Sequence, residues 1–251
     1  MYKKDIYEIS ENVCIADMIY RMHLLGYTGD IKAPGQFINI KLPGRYLRRP
    51  ISVCDWDKEG IDIIYKVVGD GTLDMSHMEK GTRLDVLTGL GNGFSTESLA
   101  PGQTAALIGG GVGVPPLYAL AKELIRRQVG VKAVLGFNEA SQIFYAEEFR
   151  KLGAEVTVTT VDGSTGIKGF VTDALRNMDF DRYYCCGPMP MLKAVHGQCT
   201  ERGIEGELSF EARMGCGFGA CMGCSMETKN GTKRICKEGP VFLSGEVSFD
   251  D

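Results

Sequence analysis

Thr104-Ala-Ala-Leu-Ile108-Gly109-Gly-Gly-Val-Gly113-Val-Pro115-Pro-Leu-Tyr-Ala-Leu-Ala-Lys-Glu-Leu-Ile-Arg-Arg127 joins three signals in one run. An apolar strand over 105–108 feeds a glycine-rich turn, and the turn opens an amphipathic helix with Pro115 in its first turn, where a missing N–H costs nothing. Small residues at such a turn let a pyrophosphate approach the backbone, and the free N–H groups and helix dipole favour its charge. The run is not G-x-G-x-x-G, because Pro116 stands at the last glycine position. Alone, the turn also reads as a tight strand-to-helix connection; its place at the head of an α/β unit argues for a nucleotide.

Downstream, strand candidates at 131–137, 155–161 and 182–186 alternate with helical candidates at 144–152, 171–176 and 191–202. That alternation implies a parallel sheet with helices on its faces. Cys186-Gly187-Pro188-Met189-Pro190-Met191 lies at the carboxyl end of one strand, where open α/β sheets bind ligands, although Gly-Pro is also simply a good turn. Gly110, Gly111, Gly113, Cys186, Gly187 and Pro188 are the candidate nucleotide contacts. A last strand candidate, 206–210, leads into a cysteine-rich loop.

Upstream, the first 97 residues hold short apolar stretches broken at Pro34-Gly35, Pro43-Gly44 and Gly69-Asp-Gly71, which argues for a small antiparallel barrel or sandwich. Within it, Arg48-Arg49-Pro50-Ile51-Ser52 puts a cation, a fixed φ and a hydroxyl at the start of a strand, and Asp70-Gly71-Thr72 is expected to end a later one. Arginine suits pyrophosphate oxygens, though by composition an Arg-Arg pair reads first as a solvated face. Pro101-Gly102 marks a boundary. The expected fold class is a β barrel plus α/β, in three parts: 1–98, 99–208 and 209–251.

The last part contains Cys216-Gly-Phe-Gly-Ala-Cys221-Met-Gly-Cys224 and then Cys236. C-x4-C-x2-C…C is the ligand spacing of a plant-type [2Fe–2S] centre, and Gly215, Gly217, Gly219 and Gly223 suit a loop that aims amide N–H groups at sulfur. A structural zinc site is the rival, although zinc sites usually present two C-x2-C pairs and only Cys221 and Cys224 form one. The run of 11 residues before the last cysteine is shorter than in common plant-type proteins. The other five cysteines, Cys14, Cys54, Cys185, Cys186 and Cys199, are expected to be small buried hydrophobes.

Bulk numbers narrow the class further. With 251 residues there is room for about two domains, each with its own core. A net charge of −4 with dispersed Lys and Arg leaves no footprint for nucleic acid. No apolar run approaches the ~20 residues that span a bilayer, and Met-Tyr-Lys-Lys-Asp lacks a signal peptide's apolar region, so a cytoplasmic protein with no membrane contact is expected. His23, His77 and His196 are scattered, and no side chain is assigned as catalytic.

Arg49-Pro50-Ile51-Ser52, then Tyr65-Lys66 with Gly71-Thr72, resemble the flavin motifs of the ferredoxin-NADP reductase superfamily, and the 109–113 and 186–191 turns resemble its pyridine-nucleotide motifs. The Cys216, Cys221, Cys224 and Cys236 set, with its short last spacing, is similar to that of the electron-transfer subunits of type B dihydroorotate dehydrogenases. The resemblance spans essentially the whole chain. It implies an NAD-linked oxidoreductase subunit of pyrimidine biosynthesis with FAD and a [2Fe–2S] cluster, and NAD as substrate. FAD would lie between barrel and α/β domain, held by Arg49, Pro50, Ile51, Ser52, Ile64, Tyr65, Lys66, Gly71 and Thr72, with Glu211 nearby. The partner would be an FMN-containing catalytic subunit, in a heterotetramer of two plus two, with electrons passing through cluster and FAD to NAD+. Related subunits of NADH-dependent ferredoxin:NADP+ oxidoreductases, sulfide dehydrogenases and hydrogenases remain alternatives, as does a zinc-stabilised nucleotide-binding module. Asn138-Glu139 and Asp162-Gly163-Ser164, after the second and third α/β strands, favour NAD over NADP because acidic groups repel a 2′-phosphate.

Overall fold

Residues 2–249 are described by the computed structural model. Five strands come first, β1 (Lys3–Ala16), β2 (Ile19–Leu25), β3 (Phe37–Lys41), β4 (Arg49–Trp56) and β5 (Gly60–Lys66), followed by helix α1 (Asp70–Ser76) and β6 (Arg83–Leu90). All pair antiparallel and close into a barrel in the order β1-β2-β5-β4-β3-β6. Side chains alternate across a strand, so Ile38 and Ile40, Ile61 and Ile63, and Leu84 and Val86 fill the interior. Two expectations need correction. Asp70-Gly71-Thr72 does not end a strand: Thr72 Oγ1 accepts the Val68 and Gly69 N–H groups at 2.9 and 3.3 Å and so starts a helix. Cys14 is exposed, unlike the four buried cysteines outside the cysteine-rich loop, because it borders a β-bulge in the β1–β2 hairpin.

The second half supplies β7 (Thr104–Gly110), α2 (Pro115–Arg126), β8 (Gly130–Phe137), α3 (Ala146–Leu152), β9 (Glu155–Thr160), β10 (Ile167–Lys168), α4 (Val171–Leu175), β11 (Arg182–Cys186), α5 (Met189–Glu201) and β12 (Gly206–Ser209). After the cysteines come a hairpin, β13 (Ser225–Thr228) and β14 (Gly231–Arg234), and then β15 (Val241–Leu243). The sheet order is β10-β9-β8-β7-β11-β12-β15, parallel throughout except for β15, which runs antiparallel to β12. Helix α3 starts two residues later than its apolar pattern suggests, because Tyr145 takes a left-handed φ of 62°.

Polar contacts fasten barrel to sheet. Lys122 on α2 reaches Asp55 on β4 at 2.5 Å. In the connecting segment, Ser95 N–H donates to Glu207 Oε2 at 2.8 Å and Tyr184 Oη donates to the Ser95 carbonyl at 3.0 Å. Glu207 is buried on β12 and also accepts from Arg182 Nη2 at 3.2 Å.

Burial raises the Glu207 carboxyl, against the lowering by the Ser95 N–H and the Arg182 charge. A raised value in the folded chain means that folding takes up a proton, so this carboxyl favours the folded state below its ordinary 4.5 and that benefit is lost as pH rises through the raised value. Arg182→Met therefore should cost about 3–5 kcal/mol at about pH 8, by leaving a buried carboxylate unpaired, and less at about pH 5, where the carboxyl can take a proton. Urea titrations at the two pH values check this; equal losses would remove Glu207 from the explanation.

Candidate functional site

All four candidate cluster ligands lie between β12 and β15. They stand as two pairs. In one, Cys216 N–H points at Cys221 Sγ at 3.5 Å, while Ala220 and Cys221 N–H groups point at Cys216 Sγ at 3.2 and 3.4 Å. In the other, Cys236 N–H lies 3.4 Å from Cys224 Sγ. Burial works to raise the Cys216 thiol, but N–H groups of Phe218, Cys221 and Ala220 outweigh it and bring the thiol down to about 6. Cys236 moves the other way, pushed up to about 12 by burial and by the adjacent Cys224 thiol. Close sulfurs without a counter-charge cannot all ionise, and a bound cation removes that conflict. Among the described residues no three His, Cys, Asp or Glu side chains converge on one point as a single-ion cage requires. Two thiol pairs with N–H groups aimed at sulfur fit a two-iron centre, one pair to each iron.

The loop is fixed from both sides. Internally, Arg234 holds Glu238 at 3.0 Å and donates to the Gly219 carbonyl at 2.6 Å, and this guanidinium lowers the Glu238 carboxyl to about 2. Externally, the barrel's Phe37, Leu87 and Leu90 share an apolar core with Cys224, Cys236, Phe210 and Ile235. Asn39 Nδ2 donates to the Cys216 carbonyl at 3.3 Å. Cys224 and Cys236 are thereby buried, whereas Cys221 and Met222 face solvent.

The barrel candidates converge at one rim. The Arg49 guanidinium on β4 lies against Gly71, the second residue of α1, and Thr72 follows. Arg48 is not on a solvated face: its Nη2 pairs with Asp85 at 2.8 Å and its Nη1 donates to the Asn39 and Asp85 carbonyls at 3.2 and 3.1 Å. Ser52 and Pro50 are paired across the ladder with Phe37 and Asn39 of β3. On β5, Ile64 packs toward α2, while the Tyr65 ring sits inside the barrel with its hydroxyl on Asn12 Oδ1 at 3.0 Å. Tyr65 thus has only backbone to offer a ligand.

The nucleotide candidates also meet. A Cβ on Gly113 would stand 2.1 Å from the Cys186 carbonyl oxygen, so the 109–113 turn rests directly on the Cys186-Gly187-Pro188 turn. After β8 and β9, Ala140 N–H donates to Ser164 Oγ at 2.8 Å and Asp162 N–H to the Asn138 carbonyl at 3.2 Å, joining the two acidic loops. Hydrogen bonds from Ser164 keep the Asp162 carboxyl below its usual range, hence charged. Glu211 lies just past β12 with solvent-exposed surface. Burial raises its carboxyl, and it lies close enough to Cys186 to raise that buried thiol further.

Residues 211–248 match the model for the iron-sulfur cluster binding domain of dihydroorotate dehydrogenase B, and residues 107–197 match the oxidoreductase NAD-binding domain. A dihydroorotate dehydrogenase B (NAD(+)) electron transfer subunit from Fusobacterium nucleatum subsp. nucleatum is 44% identical, covering 96% of this chain and 97% of that one. The chain belongs to this family of electron-transfer subunits. A second member, from Geobacillus sp. (strain WCH70), is 43% identical over 98% of this chain and 99% of that one. Among solved structures, a chain of the NADH-dependent reduced ferredoxin-NADP oxidoreductase superposes with TM-score 0.85 at 30% identity, covering 98% of this chain and 90% of that chain. The flavohem-like FAD/NAD binding domain of a nitric oxide dioxygenase from Vibrio cholerae O1 biovar El Tor shares the fold, with TM-score 0.68 at 21% identity over 79% of this chain and 93% of that chain.

Sequence reasoning missed three residues of this dihydroorotate dehydrogenase B electron-transfer subunit: Asn39, Asn92 and Arg234. Asn39 and Asn92 act on backbone far along the chain, as when Asn92 Nδ2 donates to the Val241 carbonyl at 2.7 Å, and no local pattern marks such contacts; Arg234 acts within the cysteine segment itself. The contact of the two glycine turns gives a prediction. Gly113→Ala should destabilise by about 1–3 kcal/mol through overpacking and weaken NADH binding at least about tenfold. Gly111→Ala, with no atom within 4 Å of the new Cβ but a φ of +52°, should cost stability through backbone strain alone, about 1–2 kcal/mol. Thermal melts with NADH titrations check both variants.

Proposed function

We propose that this electron-transfer subunit carries electrons to NAD+ from an FMN-containing subunit that oxidises dihydroorotate to orotate, in a cytoplasmic heterotetramer of two plus two. The paired cysteine loop on the barrel's outer face carries the reading. Cys216, Cys221, Cys224 and Cys236 would hold a [2Fe–2S] cluster, which when bound supplies one-electron exchange. Arg49, Pro50, Ile51, Ser52, Ile64, Tyr65, Lys66, Gly71 and Thr72 would hold FAD, whose chemistry links one-electron to two-electron transfer. Gly110, Gly111, Gly113, Cys186, Gly187 and Pro188 would receive the nicotinamide nucleotide.

The protein's own work is binding, orientation and exclusion of water. Arg49 offers its guanidinium to a pyrophosphate, the glycine turns bring backbone N–H groups within reach of another, and the 37/87/90 core keeps solvent from Cys224 and Cys236. The exposed Cys221–Met222 edge is the docking side for the FMN subunit, since single-electron transfer needs short distances. The three functional parts are 1–98 for FAD, 99–208 for NAD and 209–251 for the cluster and the returning strand. Among the described residues no helix is long and apolar enough to cross a membrane.

The likeness to the NADH-dependent reduced ferredoxin-NADP oxidoreductase chain supports a second reading, service to that type of complex. The negative charge at Asp162 favours NAD and the first reading.

One preparation tests the proposal: anaerobic absorption spectra with iron, zinc and acid-extracted flavin measured on the same sample. Bound flavin with about two irons per chain, bleached by NADH, is expected; zinc without flavin would leave only a nucleotide-binding module. In dye-reduction assays the KM for NADH should be at least about tenfold below that for NADPH, and Asp162→Ser should narrow the gap. An FMN protein that oxidises dihydroorotate should copurify.

A further inference from the structure

Asn39 occupies a position that neither cofactor motif includes. It lies in the middle of β3 with 1% of its surface exposed, and its strand neighbours Ile38 and Ile40 point into the barrel, so Asn39 and Phe37 point out. Their cross-strand partners on β4 are Pro50 and Ser52, two residues of the flavin motif. Side chains of directly paired residues share one face of the sheet at about 4.5–5.5 Å between Cβ atoms. On that face Phe37 packs in the core that buries Cys224 and Cys236, and Asn39 Nδ2 donates to the Cys216 carbonyl at 3.3 Å. The other side-chain atom, Oδ1, is buried with no donor. An apolar residue of the same size would leave no such orphan, so the favourable part of this amide is its bond to the cysteine loop. The loop is shaped to receive it: a Cβ on Gly217, whose φ is +78°, would stand 2.3 Å from Asn39 Nδ2.

We propose that Asn39 is a positioning residue that pins Cys216 to the strand beside the flavin motif, fixing the geometry and solvent access of the cluster loop and thereby the cluster's potential. The proposal rests on the reading of the 49–52 motif and the four cysteines as flavin and cluster sites. Cys216 Sγ accepts N–H groups from Ala220 and Cys221, and those bonds depend on where the Cys216 backbone is held. Hydrogen bonding to cluster sulfurs and solvent exposure are among the protein's levers on such a potential.

The test uses the full chain loaded with FAD, iron and sulfide, in wild type, Asn39→Leu, Asn39→Asp and Gly217→Ala forms. Iron, flavin, the electron paramagnetic resonance spectrum of the reduced cluster and its midpoint potential are measured for each. Both Asn39 variants should keep flavin within about twofold and either lose cluster iron or shift the cluster's reduction equilibrium at least about fivefold, about 40 mV at 59 mV per tenfold for one electron. Gly217→Ala should reproduce the effect from the loop side, and the Asn39→Leu, Gly217→Ala double variant should add little to either single change. Unchanged iron, spectrum and potential in both Asn39 variants would overturn the proposal, as would parallel loss of flavin and iron, which marks a mere barrel-strand residue. A wild-type chain that binds no iron would instead overturn the functional reading, and this proposal with it.

Discussion

The outer face of β3 cannot stand bare in water. Phe37 and Asn39 point away from the barrel, and both are buried because the cysteine loop lies over them. Removing Phe37, Leu87 and Leu90 from water supplies the hydrophobic drive for that docking, at roughly 25 cal/mol per Å² of apolar surface. The same β3–β4 ladder carries the proposed flavin residues Pro50 and Ser52 on its other strand. Backbone hydrogen bonding within one sheet therefore ties together two sites that lie more than 150 residues apart in the chain. On the proposed reading of these residues, the relative placement of flavin and cluster would follow from strand pairing, a far stiffer link than a hinge between domains.

From that ladder the rest of the architecture follows. Helix α2 lies across β4 and brings the glycine turn of the sheet to the barrel rim, with the Lys122–Asp55 pair at the far end of the contact. The connecting segment is pinned by Glu207 and Tyr184, so barrel and sheet meet in a set orientation. The cysteine loop then has one sheltered pair and one open pair. The sheltered pair lies in the apolar core with Phe37, while Cys216 of the other pair is half-buried and tied to β3 by Asn39.

Much of this was legible in the residues themselves. The strand, glycine turn and helix around 104–127 announce the parallel sheet, because period and turn chemistry agree there, and β11 spans the expected 182–186. Short strands punctuated by Gly and Pro announce the barrel. The cysteine spacing marks the loop and its four sulfurs. What stayed hidden depends on long-range contact. Nothing local distinguishes Thr72 as a helix-starting hydroxyl from a residue at a strand end, or Cys14 beside a bulge from a core cysteine. The three-residue strand β15 is too short to carry a period. Arg48 reads as a surface cation because its charge partner, Asp85, lies 37 residues on and reaches it only through the pairing of β3 with β6. Asn39 is hidden for the same reason, 177 residues from its partner.

The return of β15 to the sheet bears on assembly. Ser209 and Val241 are register partners, so the loop of 210–240 leaves and rejoins the sheet at one point. Its base is closed by strand hydrogen bonds and by Asn92, none of which involves a cysteine. The sheet thus closes without help from the cysteines, and the closure entropy of the loop is already met at its base. On the proposed reading of the four cysteines, iron insertion would be a late and separable step of maturation. By the same logic, loss of metal from the proposed cluster would leave the nucleotide-binding half standing.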